Sequence, residues 1–375
     1  MLRGRLDTHG HSVVNSAMWN QSEAPQVNEL LSSWLVRSAL GFGMDPLSLT
    51  GCIWPDWRVW IHDVDRYLGL DAARRLSSVS GVSSDRIHSM TFTGACPNIF
   101  PPGSMMSATV PWLLSKSQRN RASLSGGLFC PSCLSEDKKP YFRWQWRMAF
   151  STGCLRHKCR LISRCPHCHH CVQYILLTAS DGTLNRCSHC GNMLSDGRFS
   201  PCDQTALAFQ SAAERTLNEG MGWYGRYELS ASEWFRVIRY LVSVVRASGR
   251  RGRNSLMQMV SSISGYTDSE IFAGSCLPLE IQTLEDRAKI LSIAWVLFQL
   301  DPKTLANEAL QNGVTRGLLI GKDLNMPPVL TPFFVNMNEC PHSYPSGRRS
   351  VSNTPSSPIA VSRKWERIKH LLGYQ

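Results

Sequence analysis

Eight cysteine and histidine residues between Cys130 and Cys190 have the types and spacing to hold metal. They form four pairs, each with ligand-type residues three apart: Cys130-Pro-Ser-Cys133, Cys154-Leu-Arg-His157, Cys165-Pro-His-Cys168 and Cys187-Ser-His-Cys190. A tight turn with ligands at that spacing aims backbone N–H groups at a bound ion, and two such turns complete a tetrahedral site. Cys133 and Cys154 lie 21 positions apart and Cys168 and Cys187 lie 19 apart, room for a hairpin or a strand plus loop. The step from His157 to Cys165 is too short to hold a domain. The spacing therefore predicts two consecutive zinc ribbons, the first with three cysteines and a histidine, the second with four cysteines. Each would hold one structural Zn2+.

Other chemistries fit less well. Disulfides suit a secreted chain, yet Met1–His11 is polar and basic and never develops an apolar leader core. Iron–sulfur ligation rarely uses a histidine such as His157 in a cysteine quartet. Catalytic zinc keeps a coordination position open, whereas both quartets are complete. No HExxH occurs, and no His-x-Glu precedes a Pro-Cys-x-x-Cys as in zinc deaminases. A zinc-dependent nuclease is the rival class, and it would need clustered acids near the ribbons. Only Glu136, Asp137 and Asp181 lie between Cys130 and Cys190, and nothing supplies acid, base and geometry together. Within the ligand set, Cys159, His167, His169, His170, Cys171 and His189 are near enough to substitute, with Cys159 and Cys171 the serious competitors.

The elements that must position this region can be read from the 375-residue chain around it, which is 43% hydrophobic and 18% charged. That composition is ordinary for a globular protein and allows two or three modules. No apolar run approaches the ~18 residues of a spanning helix. The formal charge of +12 favours an anionic partner, and two loaded zinc–thiolate sites would lower it to roughly +9. Fourteen cysteines, seven of them in the ligand pairs, fit a reducing compartment, most simply a bacterial cytoplasm.

The expected fold class is mostly α with small zinc-ribbon β elements. Residues 1–26 read as a flexible arm. Residues 27–95 read as a helical module: Asn28 is placed to cap a helix carrying Leu30, Leu31, Trp34, Leu35 and Ala39, and Asp45-Pro46 opens the next. Trp54, Trp57 and Trp60 read as a cluster sealing a small core rather than a base-stacking surface. Asp71–Ile87 matches a helix-turn-helix: Ala73, Leu76, a turn glycine at Gly81, then Ser83 capping a helix with Ile87 inward. Arg74, Arg75 and Arg86 could meet phosphates from it. Residues 96–129 form a Pro- and Gly-rich connector and 130–200 the tandem ribbons. Within them, Tyr141–Met148 alternates aromatic and polar residues, with tryptophan on one side and Arg143 and Arg147 on the other. With Arg156 and Arg164, these arginines mark the ribbon surface where a partner is expected. Residues 201–337 read as helical, opened in part by the capping box Ser230-Ala-Ser-Glu233. Residues 338–375 form a Ser/Pro-rich tail with a short terminal helix.

One ordered run of residues resembles a known family. Cys154-Leu-Arg-His157-Lys-Cys-Arg-Leu161-Ile-Ser-Arg-Cys165-Pro-His-Cys168, flanked by the outer cysteine pairs, is similar to the knuckle region of TniQ/TnsD transposon target-selection proteins. Glu29-Leu-Leu-Ser-Ser-Trp34-Leu-Val-Arg37 resembles that family's opening Glu-Ser-Leu-x-Ser-Trp-Leu-x-Arg, with Leu30 departing from it. The segment around Leu76, Gly81 and Ile87 resembles its helix-turn-helix. The likeness covers residues 27–200 and, by length, points to a shorter, TniQ-type member. It implies a non-enzymatic adaptor that joins a target site to an AAA+ transposition regulator and through it to the transposase. The target would be DNA bound directly or a DNA-bound CRISPR Cascade effector, with a homodimer as one form and no membrane involved.

Overall fold

The computed structural model describes residues 24–100, 103–107, 109–116, 118–119, 122–123, 127–250, 252–266, 277–320, 325–335, 337, 362 and 365. The expected arm at 1–26 and tail at 338–375 therefore lie largely outside the described residues. Ala24–Gln26 are held down: Arg37 donates to Ala24 O, and Arg86 donates to Pro25 O and Gln26 O.

The N-terminal module begins with α1 (Leu31–Gly41) and α2 (Pro46–Ile53). α1 is buried almost all round, which is how a helix apolar on several faces behaves inside a larger core. Leu31, Trp34, Leu35 and Ala39 enter a local core with Ile53, Val64, Leu76 and Ile87, while Leu30, Val36 and Leu40 join the core of the rest of the chain. Asn28 does not cap α1 as its position suggested; it sits at φ 61° and accepts from the Trp144 indole at 3.2 Å. Asp45 likewise gives its carboxylate to Ala179 N at 2.7 Å and not to the start of α2. Both residues tie the module to the ribbons. Trp54 is buried, and Trp57 and Trp60 pack against the local core.

α3 (Leu70–Ser80) and α4 (Ser84–Ser89) form a helical hairpin turned at Gly81, φ 71°, with the Ser83 hydroxyl accepting from Arg86 N. α5 (Phe92–Ala95) follows. A Cβ on Gly94 would lie 2.1 Å from the His88 carbonyl oxygen, so α5 can approach α4 this closely only through glycine.

The connector holds a two-residue ladder, β1 (Gln118–Arg119) with β2 (Ala122–Ser123). The cysteine region that follows is built from turns, the short helix α6 (Pro131–Glu136) and 3-10 turns at Trp144–Arg147 and Tyr174–Leu176. Its β content is single bridges, including Phe129 with Ile162 and Gly153 with Arg160.

Beyond it run α7 (Gln204–Glu219), a hairpin of β3 (Met221–Tyr224) and β4 (Tyr227–Ser230), α8 (Ala231–Ser248), α9 (Asn254–Ser264), α10 (Leu284–Gln299), α11 (Pro302–Gln311), α12 (Arg316–Leu319) and α13 (Thr331–Phe334). The Ser230/Glu233 capping box opens α8 as its sequence indicated. The hairpin was not expected from a region read as helical. Its two-residue turn is Gly225-Arg226, with Gly225 at φ 57°. Phe209, Trp234, Phe235, Trp295 and Phe298 stack and cross in the centre of this half. Trp112 from the connector and Phe150 from the first ribbon enter the same cluster, 5.6 and 5.8 Å from Phe235. Connector, ribbons and C-terminal helices therefore share one core. Among the described residues, no helix is long and apolar enough to cross a membrane.

Candidate metal centre

The backbone makes three of the four ligand turns in one way. Cys154 N donates to Cys159 O and Cys154 O accepts from Lys158 N; the same pair of bonds joins Cys165 to His170 and His169, and Cys187 to Asn192 and Gly191. Each loop closes through a left-handed residue, Lys158 at φ 52°, His169 at φ 58° and Gly191 at φ 73°. The turn leaves N–H groups facing sulfur: His157 N lies 3.4 Å from Cys154 Sγ and His167 N 3.4 Å from Cys165 Sγ. The fourth turn differs, with Cys130 leading directly into α6, whose first turn carries Cys133.

These turns bring together both quartets expected from the spacing. Cys130, Cys133, Cys154 and His157 converge with all ligand atoms within 4.8 Å of one another, and so do Cys165, Cys168, Cys187 and Cys190. A tetrahedral zinc with Zn–S of about 2.3 Å demands an S···S edge of about 3.8 Å. The Cys133–Cys154, Cys165–Cys190 and Cys168–Cys187 sulfurs each lie 3.7 Å apart. His157 Nδ1 lies 3.3 to 3.5 Å from the three sulfurs of its quartet. The donor sets thus have the dimensions of a metal shell. His157 turns its Nε2 outward to Glu136 Oε1 at 3.0 Å, and Arg156 holds the other carboxylate oxygen of Glu136 at 2.6 Å. A carboxylate on the far nitrogen fixes the tautomer that leaves Nδ1 free to bind metal.

The competing residues fall outside these sets. Cys159 Sγ lies 3.5 Å from Cys130 Sγ, a distance at which its thiol can donate to a bound thiolate, yet it is not part of the quartet. Cys171 bridges Arg164 through the backbone and joins neither quartet. His167 pairs with Asp196 at 2.9 Å, and His170 stacks on His189 at 3.5 Å. Those two rings can meet a metal only by sharing Cys168 with the second quartet.

The first ribbon also closes a buried charge cluster that the sequence did not signal. Arg147 donates to both carboxylate oxygens of Asp63 at 2.7 Å, to Asp65 at 3.1 Å and to Leu114 O at 3.1 Å. Asp65 also accepts from Ser32 N, Ser32 Oγ and Lys116 Nζ, each at 2.8 Å, and Ser32 Oγ meets the Tyr174 hydroxyl at 2.7 Å. Burial pushes the Asp63 carboxyl up, but Arg147 and Lys116 outweigh it and hold the group well below the usual carboxylate range.

Arg147 is therefore corrected from a surface residue to a core one, 1% exposed. Arg143 does not oppose the aromatic side either: it pairs with Asp137 at 2.9 Å and lies over the Tyr141 and Trp146 rings. Of the stretch expected to be a strand or short helix, Trp144–Arg147 forms a 3-10 turn, and the split of tryptophans from arginines onto opposite sides does not hold. Arg86 is spent on the Pro25 and Gln26 carbonyls. Arg74, Arg75, Arg156 and Arg164 are exposed, Arg74 beside Asp71, Arg156 on Glu136 and Arg164 on His169 O.

The N-terminal helices, the connector, the Asp63–Arg147 cluster and the first quartet together span the part of the chain for which a relationship is found. Residues 22–161 match the TniQ family. The TniQ domain ends just beyond Cys159, so the second quartet and the C-terminal helices lie outside the matched stretch. No curated protein shows a significant match to the chain. A TniQ domain associates the chain with transposition and the selection of its targets.

Proposed function

We propose that the protein is a non-enzymatic target-selection adaptor of transposition. In this reading it links a target site, either DNA bound directly or a DNA-bound CRISPR Cascade complex, to an AAA+ regulator and through it to the transposase. The observation that carries the proposal is the TniQ match at 22–161, which ends across a ligand quartet with the dimensions of a closed tetrahedral site. Two structural zinc ions, one per quartet, would hold the ribbons; with every ligand position filled by protein, zinc supplies cross-linking and no open position for water. The divisions at 27–95, 96–129, 130–200 and 201–337 are proposed as its working parts, within a bacterial cytoplasm. Arg74 and Arg75 on α3 and Arg156 and Arg164 on the ribbons are the cations proposed to meet nucleic acid or a partner.

The test is reconstitution. The zinc-loaded chain is expected to retain an AAA+ regulator encoded beside it in a pull-down, and to bind DNA or a Cascade complex in a salt titration. Failure to retain any neighbouring regulator, or hydrolysis of nucleic acid by the purified chain, would sink the adaptor reading.

A further inference from the structure

The second ribbon and the N-terminus of α10 face each other across a cavity of 530 Å³. Leu161, Ile162 and Pro166 line it from the ribbon side and Ile281 and Leu284 from the helical side. Arg287, one turn inside α10, lines it too, although the residue is only 2% exposed. Its Nη1 donates to Ala149 O, whereas its Nε is sealed in the wall with no hydrogen-bond partner. Leaving a guanidinium N–H unmade in the interior is costly, and burial drags the group's pKa down to about 10 despite Glu280 and Glu285 nearby. Those two acids are already engaged: Glu280 accepts from Arg239 and from Trp112 N, and Glu285 pairs with Arg160 at 2.7 Å. Thr283 and Leu284 bring the positive end of a 16-residue helix to the same cavity, and the exposed Arg164 and Arg198 stand at it.

We propose that this cavity receives one carboxylate-bearing side chain from an extended segment of a partner protein. The carboxylate enters against the Arg287 wall, where a turn of the guanidinium toward it gives the sealed Nε the partner it lacks, and apolar residues beside it fill the Leu161, Ile162 and Leu284 walls. A guanidinium edge matches a carboxylate's two oxygens in geometry as well as charge. The space is that of a few side chains, far smaller than a duplex. The chain's own tail is a poor complement, because residues 338–375 hold six Lys and Arg against two Glu. The inference gives the adaptor a protein-facing site and uses that reading only to say why a partner exists; the binding itself is measured on the isolated chain.

The experiment selects random 12-residue peptides displayed on phage against the zinc-loaded full chain, with a Ser163→Trp chain as the subtractive control, since Ser163 lines the cavity and an indole there obstructs it. Selected peptides are then measured by fluorescence anisotropy beside a single-stranded DNA 20-mer. Peptides carrying Asp or Glu next to apolar residues are expected, and Arg287→Lys should weaken them about tenfold at unchanged zinc content and near-UV circular dichroism. Changing the peptide acid to its amide should cost a similar factor. Should Arg287→Lys disturb the fold, Arg198→Ala at the surface reports in its place by lowering affinity. No enrichment over the control, acid-free peptides, peptides indifferent to these substitutions, or DNA occupying the cavity in their place would each overturn the proposal. None of these results bears on whether an AAA+ regulator is retained, so the two readings fail separately.

Discussion

Arg147→Met tests the buried charge cluster directly. Methionine keeps the unbranched stem and its packing but removes a guanidinium that donates to Asp63, Asp65 and Leu114 O. The two aspartates then remain in the interior with Lys116, 25% exposed and 2.8 Å from Asp65, and Arg66, 3.4 Å from Asp63, as the cations left beside them. Breaking one side of a buried ion pair costs about 3–5 kcal/mol. At about 2 °C per kcal/mol for a chain of this size, calorimetry of the zinc-loaded protein should show a midpoint roughly 6–10 °C lower. The loss should depend on pH in one sense only. Asp63 is held below its ordinary pKa in the folded chain, so its contribution is complete above about pH 4 and fades as pH falls through the depressed folded value. The gap between wild type and variant should therefore be full at pH 7 and narrow on acidification. Adding Asp63→Asn to Arg147→Met should recover part of the loss, because it removes one stranded charge. A variant within about 0.5 kcal/mol of wild type, the scatter expected of surface changes, or a double variant worse than the sum of the singles, would refute the reasoning.

Further outcomes follow from the metal centre and the fold. Elemental analysis should give two zinc per chain, and Cys165→Ser should lower this toward one while destabilising the protein; one zinc, or none with disulfides by mass spectrometry, contradicts the two-site reading. Glu136→Gln removes the carboxylate on His157 Nε2 and should weaken the first site about tenfold or more in a chelator competition, leaving the second unchanged. Gly94→Ala puts a methyl into the His88 carbonyl and should cost about 3 kcal/mol in denaturant unfolding. If α3 meets a phosphate backbone, replacing Arg74 and Arg75 with Ala should reduce the salt slope of DNA binding by about 2, and an unchanged slope removes that face from the interface.

The ligand quartets were legible because metal sites of this kind are written in short, fixed spacings, and the α3–Gly81–α4 hairpin because its cap, turn glycine and inward residues all lie within one stretch. The Asp63–Asp65–Arg147 cluster was not legible. Its partners are 82 to 84 positions apart, and Ser32 and Tyr174 are 142 apart, so no local period reports them. Asn28 and Asp45 misled for a related reason: each has the chemistry of a cap, but a distant donor, Trp144 or Ala179, claims the side chain. The β3–β4 hairpin did leave a signal, since Gly225-Arg226 falls between Trp223-Tyr224 and Tyr227, a two-residue turn between aromatic residues. Of the three left-handed knuckle residues only Gly191 could be guessed from its type; Lys158 and His169 hold a backbone angle that their side chains do not favour.

The long reach of the charge cluster also has a meaning in time. Asp63 leaves the ribosome 84 residues before Arg147, an interval of roughly 4–17 s at translation rates of about 5–20 residues per second. Over that interval the nascent N-terminal helices carry both acids with Arg66 and then Lys116 beside them, but without the guanidinium that joins the two. The helices can gather their own local core first, but the Arg147 and Tyr174 contacts can form only after the first ribbon and part of the second have been made, so the metal-bearing half supplies the last bonds of a unit begun long before it.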